Sequence, residues 1–273
     1  MTDGPILWFD HEQALEVRVC GGKGASLAAM TAAGLPVPPG FVVCAGVLAE
    51  SVDAERLREL ARAEDHASAQ ELVRAAEPPK RDLAVAYERV GGDVAVRSSA
   101  CAEDSEAASF AGQQETYLHV RGADDVAARV VDCWASFFSE RALFYRARKG
   151  SLDDLGMAVV VQRMVEPEKS GVLFTVDPVQ RRRDRMVLEA VFGLGEQVVS
   201  GQVTPDHYVL DRHGEVKREQ LVSDGGVLDS AEIVRLADLG RLLETHFGGP
   251  QDIEWALAGG EIQLLQSRPV TTL

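Results

Sequence analysis

The sequence predicts an α+β fold, large enough for one big domain or for two lobes. Two observations carry this. Helical apolar periodicity and short apolar strands occur along the same chain of 273 residues, with two hairpin patterns in its second half. The composition, 46% hydrophobic and 26% charged, is that of an ordinary globular protein able to bury a sizeable core. A net charge of −15 argues against non-specific nucleic-acid binding, although local basic residues or Mg²⁺ can still hold a nucleotide. Cys20, Cys44, Cys101 and Cys133 are far apart in sequence with no CxxC, as expected of reduced, mostly structural thiols in a cytoplasmic protein. The first 13 residues lack a basic, apolar leader pattern, and no apolar window reaches the ~18 residues of a membrane span.

Ile6 to Phe9 reads as a short strand. From Cys20 to Gly34, glycines precede Lys23 and an alanine-rich helix follows, with Leu27 and Met30 on one side and Gly34 as its terminator. Free N–H groups at such a helix start, together with Lys23, favour an anion. The Walker spacing GxxxxGK[ST] is absent, and a tight turn with a solvated lysine accounts for the same residues. Leu35 to Gly40 (LPVPPG) must be extended, a rigid linker into a strand at Phe41 to Cys44. Glu55 to Val90 is charged and helical, is broken at Glu77-Pro78-Pro79, and is assigned to scaffold.

Val94 begins a buried strand expected to stop at Arg97-Ser98-Ser99. An acidic patch and a hydroxyl- and amide-rich loop, Ser109 to Thr116, follow it. An arginine at a strand end facing such a loop suits phosphate, because its planar donors match phosphate oxygens. A surface ion pair is the plain alternative. Glu115 to Val120 alternates like a strand. Asp124 to Lys149 is the longest helical pattern, and Val126, Val130, Trp134, Phe137, Phe138 and Tyr145 form its apolar face, read as core.

Met157 to Met164 is a continuous apolar strand, as a central position requires. Ser170 to Asp177 is another, and Arg181-Arg182-Arg183 an exposed turn. Met186 to Phe192 is a third strand, interrupted by Glu189, a carboxylate that is costly there unless paired or functional. His207 to Leu210 and Val216 to Val222 flank a hairpin turn at Asp211 to Gly214. Asp229-Ser-Ala-Glu232 resembles a capping box opening a helix with Ile233, Leu236, Leu239 and Leu243 on its face. Gln251 to Pro269 is a second hairpin around Gly259-Gly260, presenting Asp252, Glu254, Gln266 and Arg268.

Separate segments thus offer phosphate or metal chemistry: Lys23, Arg97, Glu189, Glu254, Gln266 and Arg268. Gln266 and Arg268 share a strand face. Whether Glu254 joins them depends on the turn. A two-residue loop puts Glu254 opposite Leu265, on the other face from Gln266. A three-residue loop, or a bulge, brings Glu254 and Gln266 to one side. Mg²⁺ is the metal that fits, since the donors are hard oxygens, no Cys/His set exists, and phosphates can complete the shell.

The blocks GGKGASLAAM, GLPVPPGF, VAVRSSA, EDSEAASFAGQQETYL, VVVQRMV, SGVLFTVDP, LEAVFGLGEQVVSGQVTPD, DIEWAL and LLQSRPV resemble one family. It is the N-terminal ATP-binding domain of phosphoenolpyruvate synthase and pyruvate phosphate dikinase, also found in rifampicin phosphotransferase. The resemblance spans roughly Gly21 to Val270. It implies an ATP-grasp fold with ATP between two lobes, an N-terminal one over about residues 1–100 and a C-terminal one with the metal-binding hairpin over 101–273. By similarity Lys23 and Arg97 contact ATP phosphates, and the loop carrying Ser109, Ala111, Gly112, Gln113 and Thr116 closes over them. Gln162, Met164 and Val165 lie at the hinge beside adenine, and Glu189 lies at the ribose. Glu254 and Gln266 bind Mg²⁺, Gln266 also meets the nucleotide, and Arg268 stabilises the transferring phosphoryl group; Lys23, Arg97 and Arg268 are the expected catalytic residues.

Relatives usually continue into a phosphohistidine domain and an acceptor domain. None of the six histidines here sits in that motif's setting. The expected function is therefore the ATP-binding component of a phosphotransferase, passing a phosphoryl or pyrophosphoryl group to a histidine on a separate partner. A regulatory nucleotide-binding module, or direct phosphorylation or ligation of a small molecule, are the alternatives.

Overall fold

The computed structural model describes residues 4–101, 115–195 and 203–271. In chain order the elements are β1 (Ile6–Trp8), a 3₁₀ turn (Glu12–Leu15), α1 (Val17–Ala32), β2 (Gly40–Val43), α2 (Val47–Ser51), α3 (Ala54–Arg62), α4 (His66–Arg74), α5 (Lys80–Val90), β3 (Val94–Ala100) and β4 (Thr116–Val120). Then come α6 (Ala123–Ser136), α7 (Glu140–Lys149), β5 (Met157–Arg163), β6 (Lys169–Phe174), β7 (Arg185–Phe192), β8 (Asp206–Asp211), β9 (Val216–Gln220), α8 (Ser230–Phe247), β10 (Gln251–Ala258) and β11 (Glu261–Pro269). The α+β class is the one expected.

The chain divides into two compact units, Met1–Gly34 with Pro39–Met164, and Leu35–Pro38 with Val165–Leu273. The boundary falls at Met164/Val165 rather than near residue 100. The cause is β5, which pairs with both β2 and β3 and so ties everything up to residue 164 into the first sheet.

The first unit holds a five-stranded sheet of order β1-β2-β5-β3-β4, antiparallel at every pairing. Its central strands are β5 and β3. Val159, Val160 and Val161 on one and Val94 and Val96 on the other are fully buried, which is why these segments read as unbroken apolar runs. β3 continues through Arg97 to Ala100, so Arg97 lies inside the strand and not at its end. Helix α1 packs on β2, β3 and β5, while α4 and α5 pack on α6.

The long helical pattern after Asp124 is two helices. Ser139 is extended and its hydroxyl accepts the Ala142 N–H at 3.3 Å, which caps α7 and ends the continuity. Arg146 then pins the corner. Its guanidinium lies 3.9 Å from the centre of the Phe137 ring and donates to the carbonyls of Phe137, Ser151, Leu152 and Asp154. Burial pulls its pKa down to about 10.

The second unit holds a six-stranded antiparallel sheet of order β11-β10-β6-β7-β8-β9. Helix α8 covers one face; a side chain at Gly240 would come within 2.8 Å of Leu173. The expected capping box is present, with Asp229 and Glu232 satisfying each other's backbone N–H groups. Glu232 also pairs with Lys169 at 2.7 Å, which ties the helix start to β6. At the outer strand β11, the Leu264 N–H donates to the Pro36 carbonyl at 2.7 Å, so the proline-rich segment covers a sheet edge. Among the described residues no helix is long and apolar enough to cross a membrane.

Asp206 organises the turn that follows β9. Its buried carboxylate accepts N–H groups from Val222 (2.7 Å), Ser223 (3.0 Å) and Val227 (2.7 Å), and the Tyr208 hydroxyl at 3.3 Å. Burial alone would push this carboxyl up, but the Ser223, Val222 and Val227 donors outweigh it and hold it below the ordinary value. Asp206→Ala strands these donors and should cost about 2–4 kcal/mol in urea unfolding at neutral pH. Because the folded pKa is depressed, this contribution is complete above the unfolded pKa of about 3.9 and fades as pH falls through the folded value. The deficit of the variant should therefore shrink in acid; a pH-independent deficit would contradict the assignment.

Candidate functional site

In the first unit the glycine segment forms a kink inside α1. Gly21 has φ 68° and ψ 172°, a conformation essentially restricted to glycine, and it separates the turn ending at Cys20 from the helix that begins with Lys23. The kink exists because the backbone must pass against β3. A Cβ on Gly21 would stand 2.1 Å from the Ser99 carbonyl oxygen. The Ser99 hydroxyl bridges the kink, donating to the Cys20 carbonyl at 2.9 Å and accepting the Gly24 N–H at 3.2 Å. Lys23 is buried, and its Nζ donates to the Ser98 carbonyl at 3.0 Å.

Arg97 is buried one residue before Ser98. It stands in register with Val160 on β5 and Thr116 on β4, and Val160 with Val42 on β2. Directly paired residues share a sheet face. Val42 lies against Gly24 of α1, so Arg97 points to the face that α1 covers. Thr116 beside Arg97, and Lys23 on the neighbouring Ser98 carbonyl, are thereby gathered along the middle of β3. Ser109, Ala111, Gly112 and Gln113 lie outside the described residues.

Gln162 is buried on β5 between Gly40 and Ala95, on the same face as Arg97. Two residues later the Met164 N–H donates to the Asp93 carbonyl at 2.8 Å. Val165 opens the long segment of the second unit, so Gln162, Met164 and Val165 stand where the chain finally leaves the first unit.

In the second unit the register question has a definite answer. Gly259 and Gly260, with φ 58° and 78°, make a two-residue turn that pairs Ala258 with Glu261. Unmodified, that register would put Glu254 opposite Leu265. The pairing shifts between Trp255 and Glu254: Trp255 faces Leu264 but Glu254 faces Gln266. Leu265 is the extra residue of a β-bulge. It brings Glu254 and Gln266 side by side and aligns Asp252 with Arg268.

The row continues across the sheet. Glu254 pairs with Val172, Val172 with Glu189, and Glu189 with His207. All therefore lie on one face, opposite to the one where Leu173 meets α8. Glu189 is not sunk in the core. Its side chain is 31% exposed and its Oε1 lies 3.4 Å from His207 Nδ1. Arg268 donates through two nitrogens to Asp252 Oδ2, each at 2.8 Å, with Asp252 9% exposed and Arg268 57%. Burial pushes the Asp252 carboxyl up and Arg268 pulls it back, while Glu254 and Glu189 add to the upward push. Carboxylates gathered on one face in this way set up a potential that a cation relieves.

Among the described residues no group of three or more His, Cys, Asp or Glu converges to form a protein-only metal cage. A carboxylate beside an amide oxygen, as at Glu254 and Gln266, is instead the partial oxygen set that Mg²⁺ accepts while keeping waters and phosphate oxygens. Sequence reasoning missed three supporting groups: Ser99, Asp252 as the partner of Arg268, and His207. The hydroxyl two residues after Arg97 and the i, i+2 spacing of Asp252 and Glu254 were the available signals.

The model of the pyruvate phosphate dikinase AMP/ATP-binding domain matches residues 17–226 and 213–273. A probable phosphoenolpyruvate synthase from Archaeoglobus fulgidus is 42% identical, over 98% of this chain and 42% of the relative. A rifampicin phosphotransferase from Streptomyces sviceus is 41% identical, over 100% of this chain and 36% of the relative. The chain thus spans less than half the length of these curated relatives. Among solved structures, D-alanyl-alanine synthetase A from Vibrio cholerae aligns over 92% of this chain and 58% of its own at 12% identity, with a TM-score of 0.37.

The kink is testable by itself. Gly21→Ala adds about 1–3 kcal/mol of backbone strain as well as the clash with Ser99. Thermal unfolding should show a clear loss of stability, whereas Gly34→Ala, where nothing lies within 4 Å, carries strain alone and should cost less. Equal costs at the two positions would show that the close approach to Ser99 is wrong.

Proposed function

Because the chain belongs to the family of the pyruvate phosphate dikinase AMP/ATP-binding domain, we propose that it is the ATP-binding component of a phosphoenolpyruvate-synthase-like phosphotransferase with an ATP-grasp-like fold. It passes a phosphoryl or pyrophosphoryl group from MgATP to a histidine on a separate partner. The observation that carries this reading is the bulge at Leu265, which sets Glu254 against Gln266 and Asp252 against Arg268. These four polar side chains share one face of the hairpin, and phosphoryl transfer requires positioned oxygen donors and a cation together.

Each unit is assigned its own part. In the first, Lys23 and Arg97 hold phosphate oxygens, with Thr116 beside Arg97 and the loop bearing Ser109, Ala111, Gly112 and Gln113 as phosphate cover. The chain around Gln162, Met164 and Val165 serves as hinge and adenine contact. In the second, Glu254 and Gln266 hold Mg²⁺, Glu189 takes the ribose, and Asp252 fixes the direction of Arg268. Bound there, Mg²⁺ would neutralise phosphate charge. Arg268, more than half exposed, contributes a planar cation to the transferring group.

Lys23→Ala and Arg97→Ala should each weaken MgATP binding by about tenfold or more in titration calorimetry, the worth of one charge-assisted contact. Glu254→Gln should weaken binding in the presence of Mg²⁺ more than in its absence. Unchanged affinity in both cation variants would remove the phosphate assignment, and equal losses with and without Mg²⁺ would remove the metal assignment.

Group transfer separates the partner reading from its alternatives. With labelled ATP alone the chain should acquire no stable phosphohistidine, and adding a histidine-bearing phosphocarrier domain of this family should place label on that domain. Stable label on this chain by itself would overturn the partner requirement.

A further inference from the structure

Glu189 and His207 stand directly opposite one another on β7 and β8. They share the sheet face that carries Glu254 and Gln266, on the row that runs from β10 through Val172. Around Glu189 on that face the side chains are apolar. Val172 lies beside it on β6 and Val187 two residues earlier on its own strand, and both are buried. Among the described residues the Glu189 carboxylate has one hydrogen-bonding partner, His207, whose Nδ1 lies 3.4 Å from Oε1. An ionised carboxylate accepts and does not donate, so the imidazole that fits this contact carries a hydrogen on Nδ1.

His207 is placed by its neighbours on β8. By strand alternation Asp206 and Tyr208 point to the opposite face, and both are buried there. Asp206 holds the N–H groups of Val222, Ser223 and Val227, which anchors the strand and the backbone of His207 with it. The imidazole itself is 35% exposed, so the pair is fixed from the core side and open to a solute on the other. A glutamate side chain gives up much of its rotational freedom when it meets a ligand. A contact that already holds Oε1 removes part of that cost before binding and leaves Oε2 to accept a hydroxyl.

We propose that His207 is a positioning residue for sugar recognition: by holding Glu189 Oε1 it presents Oε2 to a ribose hydroxyl, and so makes the chain prefer a ribonucleotide to its deoxy analogue. This rests on the reading in which Glu189 takes the ribose. His207 acts through Glu189 and is assigned no nucleotide contact of its own. A site built to hydrogen-bond a hydroxyl rejects the analogue that lacks it, because its own polar group is then left unpaired. The rejection is sharp only where the acceptor cannot swing away to water. The His207 contact opposes that swing, and the flanking valines offer no substitute partner.

Titration calorimetry with Mg²⁺ and ATP, 2′-deoxyATP or 3′-deoxyATP reads the preference directly. The wild-type chain should bind ATP about tenfold more tightly than at least one deoxy analogue, and Glu189→Ala should abolish the difference. His207→Ala should cut the preference to about threefold or less by weakening ATP, with the disfavoured analogue bound as in the wild type. A merely structural role would weaken both nucleotides alike. His207→Asn, whose Nδ2 stands as many bonds from Cα as Nδ1 does, should restore most of the preference. Adding His207→Ala to Glu189→Ala should change nothing further. The two failures are separable. No preference in the wild type, or one that survives Glu189→Ala, removes the ribose reading and the proposal with it. A preference lost in Glu189→Ala but kept in full in His207→Ala, equal weakening of both nucleotides in His207→Ala, or no recovery in His207→Asn overturns the positioning role alone.

Discussion

One extra residue, Leu265, decides what the terminal hairpin can do. A Gly259-Gly260 turn matches the right-handed twist of its strands and imposes an even register. Carried to the end, that register would place Glu254 and Gln266 on opposite faces. The bulge absorbs one residue and inverts the relationship for everything beyond it, so one short distortion places Glu254 with Gln266 and Asp252 with Arg268. A bulge interrupts ladder hydrogen bonding, and beside it the Leu264 N–H is taken by Pro36. Leu35–Pro38 is restricted by its prolines and by a turn in which the Val37 N–H donates to the Leu35 carbonyl at 2.9 Å, which lets it cover this edge at little entropic cost.

The first unit reaches a comparable result by close approach. Backbone meets backbone at Gly21 and Ser99, and only the missing side chain allows it. Both candidate sets therefore stand on strands and helix starts whose positions are fixed by packing, the footing that positioned chemistry needs. The electrostatics agree. The chain carries −15 overall, yet Lys23 and Arg97 are buried beside β3, while Asp252, Glu254 and Glu189 share one face of the other sheet, where Glu254 and Glu189 add to the upward push of burial on the Asp252 carboxyl. Local charge is sorted against the average.

Much of this was legible from residues alone because it is periodic. The valine runs of β3 and β5, the capping box at Asp229 and the glycine turn at 259–260 each carry a local signal. The failures are non-local or lack a compositional mark. The unit boundary depends on β5 pairing with β2, a contact that spans more of the chain than any pattern window. The bulge was required by the metal assignment, but nothing about Leu265 marks it as the extra residue. The break between α6 and α7 was signalled by Ser139 before Glu140, and the aromatic spacing that runs through it masked the cap. Arg146 carries no mark of burial in the sequence and is buried where the chain at Ser151, Leu152 and Asp154 folds back to accept its guanidinium.

Ser99 connects the backbone before the Gly21 kink to the phosphate-binding candidates. Its hydroxyl accepts from Gly24, beyond the kink, and donates to Cys20, before it. A displacement of Cys20 thus bears on the start of the helix that carries Lys23 and on the strand that carries Arg97. The carbonyl that holds Lys23 belongs to Ser98, the residue between them. Because Gly21 is confined to a conformation with few neighbouring alternatives, the segment cannot absorb such a displacement by local backbone adjustment. Coupling between the two cations follows from this rigidity: Cys20, Gly24 and β3 hold their places together or move together.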